Sequence, residues 1–413
     1  RKIEVIGASK WLNAVCVKGN AEDIPNRRFI KSVQALGQYT ISEEFEAIDT
    51  ANYGAADVQL QMIGLDRYHL RGHTGKGVRI GVFDAGFRRM NDFKAFDSLW
   101  QRGQIIDHYD FVRKDTLQFN TSMHGTSVLS IMGIDYPDSM MGAAPHAEFV
   151  LARTEDGASE THVEEYNWIK ALEWADSVGV DIIHSSLGYS LFDSGHFSYT
   201  YEDMDGKTTL ITLATDIAAS KGIFITNSAG NSGAQPWKFI TAPCDGEHVL
   251  CVGAVDSFRQ KANFSSFGPS ADGRVKPEVM AMGKGTAHIS NGGRLRFGNG
   301  TSFSGPLIAG MVACMMEANP RATNEQLFQA IIRSADRYHQ PDSGYGYGLP
   351  NVMKADSILK GIMLGVNPLE PDQSVRIYPN PAQDRVFVSA KYDITKVEIF
   401  DMQMRLVKQV EAS

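Results

Sequence analysis

The chain has 413 residues, 43% of them hydrophobic and 21% charged, with a formal net charge of −8. That is the balance of a soluble globular protein with room for one large domain and smaller appendages. No Lys/Arg run forms a phosphate-binding stripe, so nucleic acid is not an expected partner. The longest apolar stretch, Pro306 to Met316, falls well short of the roughly 20 residues of a membrane span.

Four cysteines are too few for a disulfide framework and show no paired CxxC metal pattern. Cys244 and Cys251 are the close pair. Either a short-loop disulfide or two buried thiols fits their turn-then-strand setting. Cys314 falls within an apolar helical run and reads as a core thiol. Arg1-Lys-Ile-Glu carries no signal-peptide pattern, so export has to be argued from elsewhere.

The first 45 residues contain two strand-like runs, beginning at Trp11 and at Lys31. From Gly77 the pattern alternates short β-rich runs with helical ones. Val78 to Phe83 ends at Asp84, Ile105 to Val112 follows, then Ala147 to Ala152 and a helical stretch from His162 to Ser177. Val180 to Ile183, a second helical stretch through Ala214, Ile223 to Thr226 and Val249 to Val252 complete the series. Such a series predicts an α/β fold, a parallel sheet with helices on both faces. In such sheets functional residues gather at the carboxyl ends of strands, which singles out Asp84, Ser186 and Asn231. After Gly283 the chain reads as Gly-rich and irregular. Helices are expected over Thr301 to Ala318 and Asn324 to Ser334. Residues 363–371, with Asn367-Pro-Leu-Glu-Pro, read as a linker. Beyond it, runs at Val375, Arg385 and Lys396 predict a small β module over residues 372–413.

Gly300-Thr-Ser-Phe-Ser-Gly-Pro306 opens into a helix. A serine there meets unpaired backbone N–H groups able to receive an oxyanion, although Ser302 or Ser304 could equally cap the helix. A serine nucleophile needs a base. Ser122-Met-His-Gly-Thr-Ser supplies His124 at the start of another apolar helix, with Gly125 leaving room for close approach. The base needs an orienting acid, and Gly81-Val-Phe-Asp-Ala-Gly86 puts Asp84 at a strand end. Taken singly, His124 could be structural and Asp84 a turn former.

The order Asp84, His124, Ser302 is that of subtilisin, not of chymotrypsin or the α/β-hydrolases. From about Gly75 to Asn351 the chain resembles the subtilases. The resemblance rests further on Ser186-Leu-Gly188, Ser228-Ala-Gly-Asn-Ser-Gly233, Phe264-Ser-Ser-Phe-Gly-Pro269, Arg274-Val-Lys-Pro-Glu-Val279 and Gly344-Tyr-Gly-Tyr-Gly348. It implies a subtilisin-like catalytic domain over residues 46–362 and a secreted serine endopeptidase. Ser302 would be its nucleophile, His124 its base and Asp84 the orienting acid. Asn231 and the Ser302 N–H would form the oxyanion hole. Substrate would add as a strand along Ser186, Leu187 and Gly188, with the P1 pocket between that strand and Ala229-Gly230. Small residues there imply an open slot without an acid, hence an apolar P1 residue. Its floor is not readable from the sequence.

The chain departs from the family pattern at Ala85, where Ser or Thr is usual. It departs again at Phe303-Ser304 in place of Met-Ala, and at His184 in place of Asn. Met132 to Ala147 lacks the Asn-rich loop of a strong calcium site, so no metal and no cofactor is expected. Residues 1–45 resemble the end of a subtilase propeptide, with strands at Trp11 to Val17 and Lys31 to Leu36 and a tail near Gln38 to Asn52 directed at the cleft. Tyr378-Pro-Asn-Pro-Ala382 with Val397-Glu-Ile-Phe-Asp401 resembles the start of a type IX secretion sorting domain, cut short after its third strand. It implies an extracellular or cell-surface location. Polypeptides are the expected partners, and the protein is expected to act as a monomer. A lipase would need GxSxG at the serine, a metallohydrolase a motif such as HExxH, and a binding protein without catalysis would not need all four groups.

Overall fold

The computed structural model describes residues 53–363 and, outside them, six short strands. The chain divides into two units, residues 1–46 and 47–413, taken separately below. In the first, β1 (Glu4–Ser9) pairs antiparallel with β2 (Ala14–Lys18). β2 overlaps the strand expected over Trp11 to Val17, and its partner is a run before it. The run from Lys31 and the tail to Asn52 lie outside the described residues.

In the second unit, α1 (Asp57–Met62) and α2 (Leu65–His69) lead into a sheet of eight strands. These are β3 (Arg79–Asp84), β4 (Ile105–Asp110), β5 (Asp115–Thr116), β8 (Glu148–Arg153), β9 (Ile182–Ser185), β10 (Phe224–Ser228), β11 (Val249–Val255) and β12 (Val279–Met282), with α3 (Asp97–Gln101) and the small hairpin β6 (Asp135–Tyr136) and β7 (Met140–Met141) in between. The sheet order is β12-β11-β10-β9-β3-β8-β4-β5. Every pairing is parallel except the edge pair β4–β5. The central strands β3, β8, β9, β10, β11 and β12 are largely apolar and buried along almost their whole length, so they lack the polar alternation of a half-exposed strand. At the edge, β4 and β5 are largely exposed.

Helices cover both faces. Along β8, Leu151 packs with α4 (His124–Gly133) and α7 (Thr301–Ala318), while its neighbours Val150 and Ala152 pack with Trp168 of α5 (His162–Val178) and Ile211 of α6 (Leu210–Ser220). The alternation follows from the two-residue period of a strand. The start of α5 is fixed by a capping box between Thr161 and Glu164, and that of α8 (Asn324–Ser334) by one between Thr323 and Gln326.

The stretch after Gly283 is more regular than its glycines suggest. β13 (Lys284–Ser290) and β14 (Arg294–Asn299) form an antiparallel hairpin. It turns through Gly292 and Gly293, whose φ values of 76° and 68° suit residues without a Cβ. A last helix, α9 (Val352–Met363), and β12 were also not read from the sequence. C-terminally, β15 (Val375–Tyr378) pairs with β16 (Phe387–Ala390) and β17 (Lys396–Phe400) with β18 (Leu406–Glu411). The fourth strand extends the module beyond the three expected.

Cys244 and Cys251 are joined by a disulfide, with Cα atoms 5.1 Å apart, inside the range such a bond allows. Cys314 is buried and free, and burial pushes its thiol well above the ordinary range.

Candidate active site

Asp84 is the last residue of β3 and is fully buried. Its Oδ1 accepts from the Ala85 N–H at 2.7 Å, so a backbone donor supports the carboxylate where the family usually has a hydroxyl. His124 opens α4, and its N–H donates to Ser122 Oγ at 3.1 Å. The imidazole Nδ1 lies 2.9 Å from both Asp84 oxygens. That closeness depends on Gly125. A Cβ there would fall 2.9 Å from Asp84 Cβ and 2.6 Å from the Gly86 carbonyl. The Asp84 charge raises the His124 pKa above its ordinary 6.5, against the opposing effect of burial. A carboxylate facing Nδ1 fixes its proton there, which leaves Nε2 as the basic nitrogen.

Ser302 sits one residue into α7 and is nearly buried. Its hydroxyl is 3.5 Å from the Ser186 carbonyl. Among the first three N–H groups of α7, that of Thr301 donates to Asn231 Oδ1 at 2.8 Å and that of Phe303 to Gly300 O at 3.0 Å. The Thr301 hydroxyl also donates to Asn231 Oδ1. With its oxygen taken twice, the Asn231 amide presents Nδ2. A Cβ built on Gly300 (φ 154°) would lie 3.7 Å from Ser302 N and 3.9 Å from Asn231 Nδ2. Asn231 Oδ1 is equally close, at 3.9 Å, so the Asn231 side-chain amide and the Ser302 N–H adjoin one another, and donors so placed can hold an oxyanion.

Ser186, Leu187 and Gly188, expected to form the substrate strand, leave β9, and Ala229 and Gly230 leave the adjacent parallel β10, at the same carboxyl end of the sheet. Asn227 ties the two, donating from Nδ2 to the Leu187 carbonyl at 2.9 Å and the Ser228 carbonyl at 3.0 Å.

Pro306 lies inside α7 and has no N–H, so the Ser302 carbonyl four residues back lacks its helical partner. The Ser186 hydroxyl supplies one at 3.2 Å, while the Ser228 hydroxyl holds the Thr301 carbonyl at 2.9 Å. His184 orients Ser186 through Nε2 at 2.9 Å and meets Thr226 Oγ1 through Nδ1 at 2.9 Å. Burial holds its pKa down to about 3, so the relay carries no charge at working pH. His184 was visible in the sequence as a departure. Nothing local showed that it underlies the serine.

Glu155 was not singled out by the sequence at all. It follows β8 and accepts at Oε1 from the Tyr189 hydroxyl at 2.5 Å and from the Thr154 hydroxyl at 2.9 Å. Burial pushes its pKa up to about 8, against 4.5 for an ordinary Glu. The folded protein therefore favours the protonated acid. Stability is fully present below pH 4.5 and is lost as pH rises toward 8, while the unfolded chain ionises. Glu155→Gln keeps the acceptor and removes the ionisation. Unfolding by urea should show the variant more stable than wild type by about 3–5 kcal/mol at pH 8.5 and equal to it at pH 4. An equal difference at both pH values would sink this assignment.

A description of the subtilase family matches residues 75–348. The chain belongs to the subtilase family. Subtilisin NAT of Bacillus subtilis subsp. natto is 28% identical over 350 residues, covering 84% of this chain and 81% of that protein. Subtilisin of Bacillus pumilus is 31% identical over 291 residues, covering 70% and 94%. Among solved structures, MycP1 with its N-terminal propeptide removed superposes with a TM-score of 0.57 at 20% identity, covering 72% of this chain and 96% of that one. The prenylagaramide maturation protease PagA gives 0.56 at 22%, covering 72% and 99%. At such identities these two speak for the fold alone. Residues 376–413 match a secretion system C-terminal sorting domain. This subtilase is a serine endopeptidase, secreted or displayed at the cell surface. Among the described residues, no helix is long and apolar enough to cross a membrane.

Proposed function

We propose that this subtilase hydrolyses internal peptide bonds through an acyl-enzyme formed on Ser302. Ser302 Oγ attacks the scissile carbonyl carbon and its proton passes to His124 Nε2. The tetrahedral oxyanion is held by Asn231 Nδ2 and the Ser302 N–H. Collapse breaks the C–N bond, and the leaving amine takes the proton from His124. Water then repeats the sequence and releases the acid. Asp84 holds the imidazole in its Nδ1–H tautomer and stabilises the imidazolium. The observation carrying this reading is the His124 Nδ1 contact to both Asp84 oxygens at 2.9 Å, taken together with a serine at the mouth of α7.

The same reading gives the peptide a strand position along Ser186 to Gly188, with export through a type IX system directed by residues 372–413. Residues 1–45 are read as a propeptide on their resemblance to the end of a subtilase propeptide. The test of the nucleophile is a fluorophosphonate reaction followed by peptide mass mapping. One adduct is expected, on Ser302. An adduct on Ser304 would overturn the assignment.

A further inference from the structure

Thr241 lies 7% exposed in the loop between β10 and β11. A Cβ placed on Gly188 would fall 2.1 Å from its hydroxyl oxygen and 3.2 Å from its Cβ. A Cβ placed on Gly230 would lie 3.6 Å from that same oxygen, and 2.9 Å from Ser266 Oγ. Gly188 and Gly230 belong to the two walls assigned above to the P1 pocket. One threonine side chain therefore reaches both walls.

The position of Thr241 is fixed from several sides. Tyr189 and Ala242 form an isolated antiparallel bridge, their N–H groups donating to one another's carbonyls at 2.8 and 3.1 Å. This bridge clamps the residue after Thr241 to the residue after Gly188. The Thr241 carbonyl accepts from the Cys244 N–H at 2.8 Å, and Cys244 is bonded to Cys251 in β11. Ser266 is fixed too, its hydroxyl accepting from Ser232 N at 3.1 Å and its N–H donating to the Gly230 carbonyl at 3.0 Å. The main chain on both sides of Thr241 is thereby held in place, and Ser266 Oγ cannot turn away without releasing the Ser232 N–H.

We infer that Thr241 is the floor of the P1 pocket and restricts cleavage to peptides with a short P1 side chain, such as Ala or Ser. The open slot suggested by the glycines is thus closed at its base. A long or aromatic P1 side chain would have to enter the space that the Thr241 side chain occupies between Gly188 and Gly230. The inference rests on the reading of Ser186 to Gly188 as the substrate strand.

The test is a set of peptides identical except at P1 (Ala, Ser, Leu or Phe), cleaved by the full-length protein and by Thr241→Gly and Thr241→Val, with products identified by mass. Wild type should show kcat/KM for Ala at least about tenfold above that for Phe, the range a steric pocket gives. Thr241→Gly should raise kcat/KM for Phe and Leu relative to that for Ala by about tenfold or more. Thr241→Val keeps the volume and should keep the wild-type ratio. Wild type cleaving Phe as well as Ala would overturn the inference, as would a Thr241→Gly ratio unchanged from wild type. So would Thr241→Val opening the pocket as Gly does. Ser302→Ala serves as the control. If it cleaves the Ala peptide at the wild-type rate, the proposed function fails, whatever the P1 ratios.

Discussion

Ser302→Ala is expected to lower kcat by about 10⁶, the size this change has in subtilisin itself, while KM changes little. In the proposed mechanism the Oγ forms the acyl bond, and Ala leaves His124 and Asp84 in place with nothing to activate. Residual turnover should still exceed the uncatalysed rate by about 10³–10⁴, because Asn231 Nδ2, the Ser302 N–H and the peptide-binding strand are untouched. The fold should be unaffected. The Ser302 hydroxyl has one long contact, to the Ser186 carbonyl at 3.5 Å, so thermal unfolding of the variant should match wild type. Kinetics with a peptide substrate under single-turnover conditions check this, and wild-type kcat in the variant would show that another residue is the nucleophile.

Asp84→Asn is expected to lower kcat by about 10⁴, as the same change does in another Ser-His-Asp enzyme. An asparagine can present its amide N–H to His124 Nδ1, which draws the ring proton to Nε2 and removes the base. The variant should also change the pH profile. In wild type the Asp84 charge raises the His124 pKa above 6.5, and the imidazole must be neutral to accept a proton. Hence kcat/KM falls as pH drops through a value above 6.5. Without the carboxylate the leading cause of that shift is gone, and the acid limb moves to lower pH. Measuring kcat/KM from pH 5 to 9 for both proteins checks the sign. An unmoved limb would mean that the limb reports another group.

The four proposed catalytic groups were legible in the sequence because the chemistry demands particular residue types next to glycines that allow close approach. Gly125 against Asp84 and Gly300 against Ser302 N and the Asn231 side chain are such positions. The central strands were legible too, since burial on both faces leaves continuous β-branched runs. What lies beneath the site was not. Ser186 serves the Ser302 carbonyl 116 residues away, and Thr241 meets Gly188 across a separate loop. Such contacts exist only once the sheet order is set, and no local period encodes them. The β13–β14 hairpin was missed for the opposite reason. Its glycines, read as breakers, are the turn at Gly292 and Gly293. The pairing of Cys244 with Cys251 was open in the sequence because turn and strand allow either state.

The central claim is that Asp84, His124 and Ser302 act as one unit, and a double-variant cycle tests it most directly. The measurement is kcat for Ser302→Ala, Asp84→Asn and the two combined, on one peptide substrate. Groups that act together lose their effect together. The combined variant should therefore be no slower than Ser302→Ala alone, within about threefold. If the two losses instead multiply, to about 10¹⁰, then Asp84 and Ser302 contribute independently and the triad reading is contradicted.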